Sequence, residues 1–191
     1  LPQQFIAMSH TNLTEKGVMA TEINEGNPIL MTELYLWIAE NQQERLPEPA
    51  KLLALLSIFM TGDRLELDIP PQIPGEVSPM IDYIQQKAEQ LGALADSMYL
   101  GVPEDQWRLT REWWYIIADW ISGCPISEIV ADYNIYEGNL TRGMLKMTNL
   151  LEEWRNMATY RKDVWMLEHL EGVEQKLIRD VVMPDSLYVR L

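Results

Sequence analysis

Apolar residues recur every three or four positions along most of the chain, which is the spacing of one face of an α-helix. Asn27-Pro28 is a helix cap followed by a first-turn proline, so a helix is predicted to begin there and to run to about Asn41. Its apolar positions are Leu30, Leu34 and Ile38. A second helix opens at Pro47 and Pro49 and is apolar over a wide arc, which predicts a central place in a bundle.

Residues 62–79 interrupt this helical pattern. The segment holds Pro70, Pro71, Pro74 and Pro79 together with Gly62 and Gly75, and prolines and glycines at this density predict a long loop. Ser78-Pro79 then caps a further helix that is predicted to reach about Leu100.

The remaining pattern is helical as well. A short helix is predicted within residues 12–23, and later helices are predicted over 109–122, 125–133, 137–160 and 163–182. No alternating strand pattern is longer than a few residues. The sequence therefore predicts an all-α fold: a single helical-bundle domain over residues 1–191, with a leading segment 1–24, about six to seven helices and one long proline-rich loop.

Composition limits what such a bundle does. The chain has 191 residues, of which 47% are hydrophobic, enough for one sizeable core. Its net charge of −14 is unlike that of a free-standing nucleic-acid binder, whose affinity depends on basic contacts to phosphate. The chain as a whole should repel RNA, so any RNA contact must be local.

Cys124 is the single cysteine, which indicates a reducing, intracellular compartment. A catalytic thiol needs a histidine partner, and neither His10 nor His169 forms a recognisable motif with Cys124, so core packing is the better interpretation. The longest apolar runs are too short to cross a bilayer, and no membrane partner is expected.

Enzymatic motifs are missing. The sequence contains no GxxxxGK[ST] or GxGxxG pattern to hold nucleotide phosphates, no HExxH and no paired cysteines. We therefore expect no catalytic residues, no metal site and no cofactor in this chain, and no enzymatic activity of the chain on its own.

The helix predicted over 137–160 has two different faces. Leu140, Met144, Met147, Leu151 and Trp154 form an apolar stripe. The opposite face is predicted to carry Arg142, Lys146, Asn149 and Glu153. Arg142 and Lys146 could contact phosphates, and Asn149 could bond a base or sugar. The alternative is that these residues form only the solvated face of an amphipathic helix.

The tryptophan-rich helix allows a second function. An acidic helical protein-interaction module, without nucleic-acid contact, would expose an apolar patch around Trp113, Trp114 and Trp120. The competing interpretation is that these tryptophans pack in the core or between domains.

Three groups of stretches, in order along the chain, resemble one family. They are LTEKGVMATEI with ILMTELYLWI and LLALLSIF, then WISGCPISEIVADYNIYEGNLTRGMLKMTNLLEEW, and finally IRDVVMPDSLYV. Together they resemble the DSHCT domain, which closes the superkiller-type and exosome-associated DExH RNA helicases.

The resemblance implies that the chain is the C-terminal fragment of a longer ATP-dependent 3′–5′ RNA helicase. Such a bundle would close a ring on two RecA-like lobes and guide single-stranded RNA along a ratchet-like helix. It implies that Arg142, Lys146 and Asn149 contact RNA. Structural or interdomain roles are implied for Arg179, Asp180, Trp120, Glu137 and Gly138.

The same resemblance implies the cofactors and partners. ATP and magnesium would bind only in the helicase core outside this chain. The partners would be that core, single-stranded RNA and exosome adaptor proteins, in the nucleus or the cytoplasm.

Overall fold

The computed structural model describes residues 12–41, 47–60 and 75–179, and within these ranges it contains helices and no β-strand. The all-α prediction is confirmed. The helices are α1 (Glu15–Thr21), α2 (Pro28–Asn41), α3 (Pro49–Leu56), α4 (Ser78–Ser97), α5 (Trp113–Ser122), α6 (Ile126–Asp132), α7 (Glu137–Arg161), α8 (Val164–His169) and α9 (Val173–Leu177). Two 3₁₀ turns cover Ser57–Phe59 and Glu104–Trp107.

The start of α2 and the end of α5 follow the predicted local signals, whereas the prediction that Ser78 caps α4 is wrong. Helix α4 begins at Ser78 itself, its cap position is Val77, and the Ser78 hydroxyl donates to Asp82 instead. The Asn27 side-chain oxygen accepts hydrogen bonds from the backbone N–H groups of Ile29 (3.1 Å) and Leu30 (3.0 Å), so α2 begins where the cap predicts. Helix α5 ends at Gly123, whose φ of 97° lies in the left-handed region that favours glycine.

Two predicted helices differ from the structure. The helix predicted over 163–182 is the two short helices α8 and α9, because the chain turns at Gly172 with a φ of 76°. The helix predicted from residue 109 begins at Trp113 instead. Thr110 is not helical because its backbone N–H bonds the carbonyl of Ile58 at 2.9 Å and its hydroxyl lies 3.2 Å from the carbonyl of Met60. Most of the predicted proline-rich loop lies outside the described residues.

The core of the described part of the chain is a cluster of buried apolar side chains. Helix α3 lies at its centre, packed against α5 and α7, as its wide apolar arc predicts. Its Leu52, Leu53, Leu55 and Leu56 are all fully buried. Within the described ranges, no helix is both long and apolar enough to cross a membrane.

One buried carboxylate ties three helices together. Glu33 on α2 is 4% exposed and accepts from Lys16 Nζ at 2.5 Å and from the Tyr83 hydroxyl at 3.1 Å. Lys87 Nζ lies 3.8 Å from the same carboxylate. A buried charge is tolerated only when it is paired, so Glu33 fixes α1 and α4 against α2.

Candidate nucleic-acid interface

Helix α7 is held by the apolar stripe that its sequence predicts. Every member of that stripe is at most 1% exposed, and Leu150, Met157 and Ala158 are buried beside it. The helix packs against α3, α6, α8 and α9. This burial fixes the position of the polar residues on the other face.

A glycine on α7 makes room for the side chain of Trp113, the first residue of α5. A Cβ atom built on Gly143 would lie 2.1 Å from Cη2 of Trp113, a distance that real atoms do not reach. Trp113 is fully buried, so its ring has little room to move. A side chain at residue 143 would therefore displace either the Trp113 ring or α7, which carries Arg142.

Arg142 is an exposed cation on the first half of α7. Its Nη2 donates to Oδ1 of Asn139, one turn earlier, at 2.5 Å. Across the described ranges, Arg142 takes part in no ion pair. Its guanidinium is thus oriented by a neutral partner and keeps its full charge toward solvent.

Lys146 and Asn149 continue the same face with different surroundings. Lys146 is half-buried, one turn after Arg142. Asn149 is exposed, and its Nδ2 donates to a carboxylate oxygen of Glu25 at 3.2 Å. A carboxylate beside Asn149 repels phosphate, so the electrostatics favour an anion at Arg142 over one at Asn149.

The prediction that Glu153 lies on the solvated face is wrong. Glu153 is 7% exposed, and its carboxylate accepts from the backbone N–H groups of Asn24 (2.7 Å), Glu25 (2.6 Å) and Gly26 (3.4 Å). The turn before α2 covers this part of α7 and needs an acceptor for its unpaired amides. Helical spacing alone does not show that another segment lies over a polar face.

The basic residues on the second half of α7 are paired with acids. Arg155 lies 3.6 Å from Glu174, and Arg161 lies 3.3 Å from Glu15. These pairs reduce the positive potential there. The local basic stripe is therefore strongest at the N-terminal half of the helix, at Arg142.

Arg179 and Trp120 form a cap on the end of α5. The guanidinium lies 4.3 Å over the Trp120 ring, with Nε donating to the Trp120 carbonyl at 3.1 Å, and Nη1 and Nη2 donating to the carbonyls of Gly123 and Cys124. Trp120 is buried and its Nε1 donates to the carbonyl of Leu177 at 2.8 Å. These contacts lie within the domain. Asp180 lies outside the described residues.

Glu137 and Gly138 are both exposed in the first turn of α7. A Cβ atom on Gly138 would meet nothing within 4 Å, so packing inside this chain does not require glycine there. An interdomain role for the two residues stays a prediction.

The tryptophan-rich helix offers no exposed docking patch. Trp113, Trp114 and Trp120 are 0%, 2% and 1% exposed, so the interaction surface that the alternative function predicts at this helix is wrong. They pack in the core because their large apolar rings gain most from burial.

Cys124 is half-buried at the edge of the core rather than inside it. Partial burial raises the pKa of its thiol, and the nearby Glu128 carboxylate raises it further. A raised pKa disfavours the reactive thiolate. Within the described ranges, no group of three or more His, Cys, Asp or Glu residues is arranged to hold a metal ion.

Sequence reasoning missed the packing role of Gly143 and the burial of Glu153. Gly143 carries a usable signal, since a glycine in phase with a buried helical stripe indicates close approach of another element. Glu153 carries none, because its partners lie more than 120 residues earlier in the chain.

Comparison with known proteins decides the family. The profile described as the DSHCT (NUC185) domain matches residues 10–184. The chain belongs to the DSHCT family.

Relatives of this DSHCT domain include proteins named as RNA helicases. It is 24% identical over 179 residues to mRNA transport homolog 4 of Caenorhabditis elegans, covering 93% of this chain and 17% of the relative. It is 25% identical over 177 residues to the DExH-box ATP-dependent RNA helicase DExH11 of Arabidopsis thaliana, covering 91% and 13%. It is 23% identical over 190 residues to the antiviral helicase SKI2 of Saccharomyces cerevisiae, covering 97% and 14%. The DSHCT chain thus spans about one-sixth or less of the length of these relatives.

Proposed function

We propose that this chain is the accessory helical domain of an ATP-dependent 3′–5′ RNA helicase. In this role it packs against a RecA-like core, closes a ring and presents the first half of α7 to single-stranded RNA. ATP and magnesium bind in the core, outside this chain. Exosome adaptor proteins are further partners of the assembled helicase.

The observation that carries this proposal is the exposure of the Arg142 guanidinium. It is an exposed guanidinium outside any described ion pair, on a chain with a net charge of −14. A planar guanidinium donates in a fixed fork that matches phosphate oxygens. The close seat of Gly143 on Trp113 supports the proposal, because a contact residue at fixed height holds a moving strand better than a flexible one.

The acidic surroundings limit the RNA contact to a short part of the helix. Glu25 lies beside Asn149, and Arg155 and Arg161 are bonded to acids. On this proposal Arg142 contacts phosphate directly, Lys146 adds a second cation, and Asn149 bonds a base or sugar beside the repelling Glu25 carboxylate.

The test is RNA unwinding by the full-length parent helicase carrying Arg142→Ala. Loss of one charge-assisted phosphate contact should lower the unwinding rate about tenfold. ATP hydrolysis without RNA should stay unchanged, because the ATP site lies elsewhere. Arg142→Lys should retain part of the rate, since it keeps the charge without the fork.

Arg155→Ala is the matched control. Arg155 lies on the same helix, and removing it changes the net charge equally, but its side chain is paired with Glu174. If both variants unwind at the wild-type rate, α7 does not guide the strand. If both fall equally, the effect is one of total charge rather than of contact at Arg142.

A further inference from the structure

A second surface, between α2 and α4, has a chemistry that the RNA interface does not use. Trp37 and Tyr83 stack there, with ring centroids 5.3 Å apart and planes inclined by 23°. They line an open groove of about 620 Å³ together with Pro79, Asp82, Gln85 and Glu89. Because the two rings stack on each other, only part of their surface faces this groove, and this part forms an aromatic wall.

Two carboxylates and one guanidinium border this groove: those of Asp82 and Glu89, and that of Arg111, whose Nη2 donates to Oε1 of the lining Gln85 at 2.9 Å. Asp82 and Glu89 are exposed on α4, and among the described residues neither is in an ion pair. Their described hydrogen bonds are to Ser78 Oγ at 3.5 Å and to Gln85 Nε2 at 3.4 Å, both near the limit of a hydrogen bond. These two carboxylates are therefore available to a cation from outside.

The cation closest to the Tyr83 ring does not neutralise the carboxylates of Asp82 and Glu89. Burial raises the pKa of Tyr83, and the nearby carboxylates of Glu33 and Glu40 raise it further. Lys87 Nζ lies 5.6 Å from the Tyr83 ring centre, but its partner is the buried carboxylate of Glu33.

We propose that this groove binds an extended, arginine- or lysine-rich peptide segment of another protein. One cation of the peptide lies over the Trp37 ring, and neighbouring cations lie beside Asp82 and Glu89. Cation–π attraction and exposed carboxylates both select positive charge. The carboxylates of Asp82 and Glu89 repel RNA. A second copy of this chain is disfavoured as well, because it carries the same net charge of −14.

This inference is independent of the RNA-guiding role, because the groove uses α2 and α4 whereas the RNA contact uses α7. Failure of the Arg142 test would leave it untouched. Failure of the peptide test would likewise leave the RNA interface intact.

The experiment is fluorescence anisotropy with the 191-residue chain and a labelled nine-residue peptide of alternating arginine and glycine. A matched peptide of alternating glutamate and glycine, and a labelled oligouridine, serve as the other probes. We expect saturable binding of the arginine peptide that weakens as salt is raised. The glutamate peptide should not bind, and the oligouridine should not compete for the groove.

The decisive variant is Asp82→Asn with Glu89→Gln, which removes two charges at constant shape. We expect a three- to tenfold loss of affinity, on the order of one partly exposed ion pair for each charge. The matched control is Asp132→Asn with Glu168→Gln, two exposed acids on α6 and α8. This control variant should bind the arginine peptide with an affinity within about twofold of wild type, because it removes the same charge from a site outside the groove.

Trp37→Leu removes the aromatic wall while it keeps apolar volume, and it should weaken binding further than the charge variant does. Trp37 is half-buried, so circular dichroism must show that this variant is folded. The charge variant does not depend on that check. The proposal is overturned by no arginine-peptide binding, by equal losses in the groove and control variants, or by a dimer that the groove substitutions abolish.

Discussion

At Gly143 the absence of a side chain makes room for the buried ring of Trp113. The six-membered ring of Trp113 occupies the space where a side chain at residue 143 would begin. Trp113 and Gly143 are both buried, so the ring cannot withdraw from this contact without opening the core. The glycine is therefore a packing requirement, and its effect on RNA is indirect, through the neighbouring Arg142.

Gly143→Ala should lower the free energy of unfolding by about 2 kcal/mol, because overlap with a fixed ring outweighs the gain in helix propensity. Denaturant titration followed by circular dichroism measures this change. Gly138→Ala is the control on the same helix, where a methyl group meets open space. It should be neutral, or stabilise by up to about 1 kcal/mol.

Combining Gly143→Ala with Trp113→Phe should cost less than the sum of the two single substitutions, since the smaller ring vacates the contact. Additive costs would contradict the steric explanation.

At the level of elements, the end of α5 depends on a side chain from the far end of the described chain. Arg179 donates to the carbonyls of Trp120, Gly123 and Cys124 at the end of this helix, where the Trp120 carbonyl also accepts from the backbone N–H of Gly123. Arg179→Ala should lower stability by about 1 to 2 kcal/mol and the melting temperature by several degrees. Thermal unfolding followed by circular dichroism measures this loss.

Arg179→Lys tests how that cap works. A lysine keeps the positive charge near the helix end but loses the planar fork and its fit over the Trp120 ring. It should recover only part of the lost stability. Full recovery would mean that charge alone, rather than the hydrogen bonds to three carbonyls, holds α5 and α9 together.

Sequence patterns predicted the helices because each one has local causes. The cap at Asn27, the stop at Gly123 and the buried stripe of α7 all depend on residues within a few turns. The division of the last predicted helix at Gly172 was missed, since helices also tolerate glycine.

The candidate site was less predictable than the helices around it. The exposure of Arg142 follows from helical phase, which the sequence shows. The burial of Glu153 and the Glu25 carboxylate beside Asn149 depend on a segment that is distant in the chain. Periodicity describes the phase of one helix, and it contains no information about which other segment covers it.

At the scale of the whole molecule, three tyrosines make stability sensitive to alkaline pH. Burial raises the pKa of Tyr35 and Tyr133 as well as that of Tyr83, and hydrogen bonds to Asp163 and Asp119 raise the first two further. Below about pH 10 each phenol is neutral in the folded and unfolded chains alike. Above it, the unfolded chain loses protons first, so the free energy of unfolding falls as the pH rises.

Tyr35→Phe should make that fall less steep. One phenol changes the slope by up to about 1.4 kcal/mol per pH unit, and Tyr35 is fully buried with its hydroxyl 2.7 Å from Asp163. The measurement is urea unfolding at intervals between pH 8 and 11. An unchanged slope in the variant would contradict the assignment to Tyr35.

The number of phosphate contacts predicts how strongly salt should weaken RNA binding by the isolated chain. With one or both of the contacts at Arg142 and Lys146, the logarithm of the binding constant should fall with the logarithm of salt at a slope of roughly −0.7 or −1.4 respectively. Binding of oligouridine to the 191-residue chain at low salt measures it, and Arg142→Ala with Lys146→Ala should abolish binding. A slope of about −3 or steeper would require a larger basic surface.

Because of the Glu153 carboxylate, hydrogen exchange at two backbone amides depends on how the N-terminal helices pack against α7. The amide hydrogens of Asn24 and Glu25 are bonded to a residue 129 and 128 positions later, so they exchange with solvent only when the turn leaves α7. Their exchange rates therefore follow the docking of the N-terminal helices on the long helix. The exchange rates of two amides that are far from Arg142 in the sequence thus measure how often the helix that carries Arg142 loses its contact with the N-terminal segment.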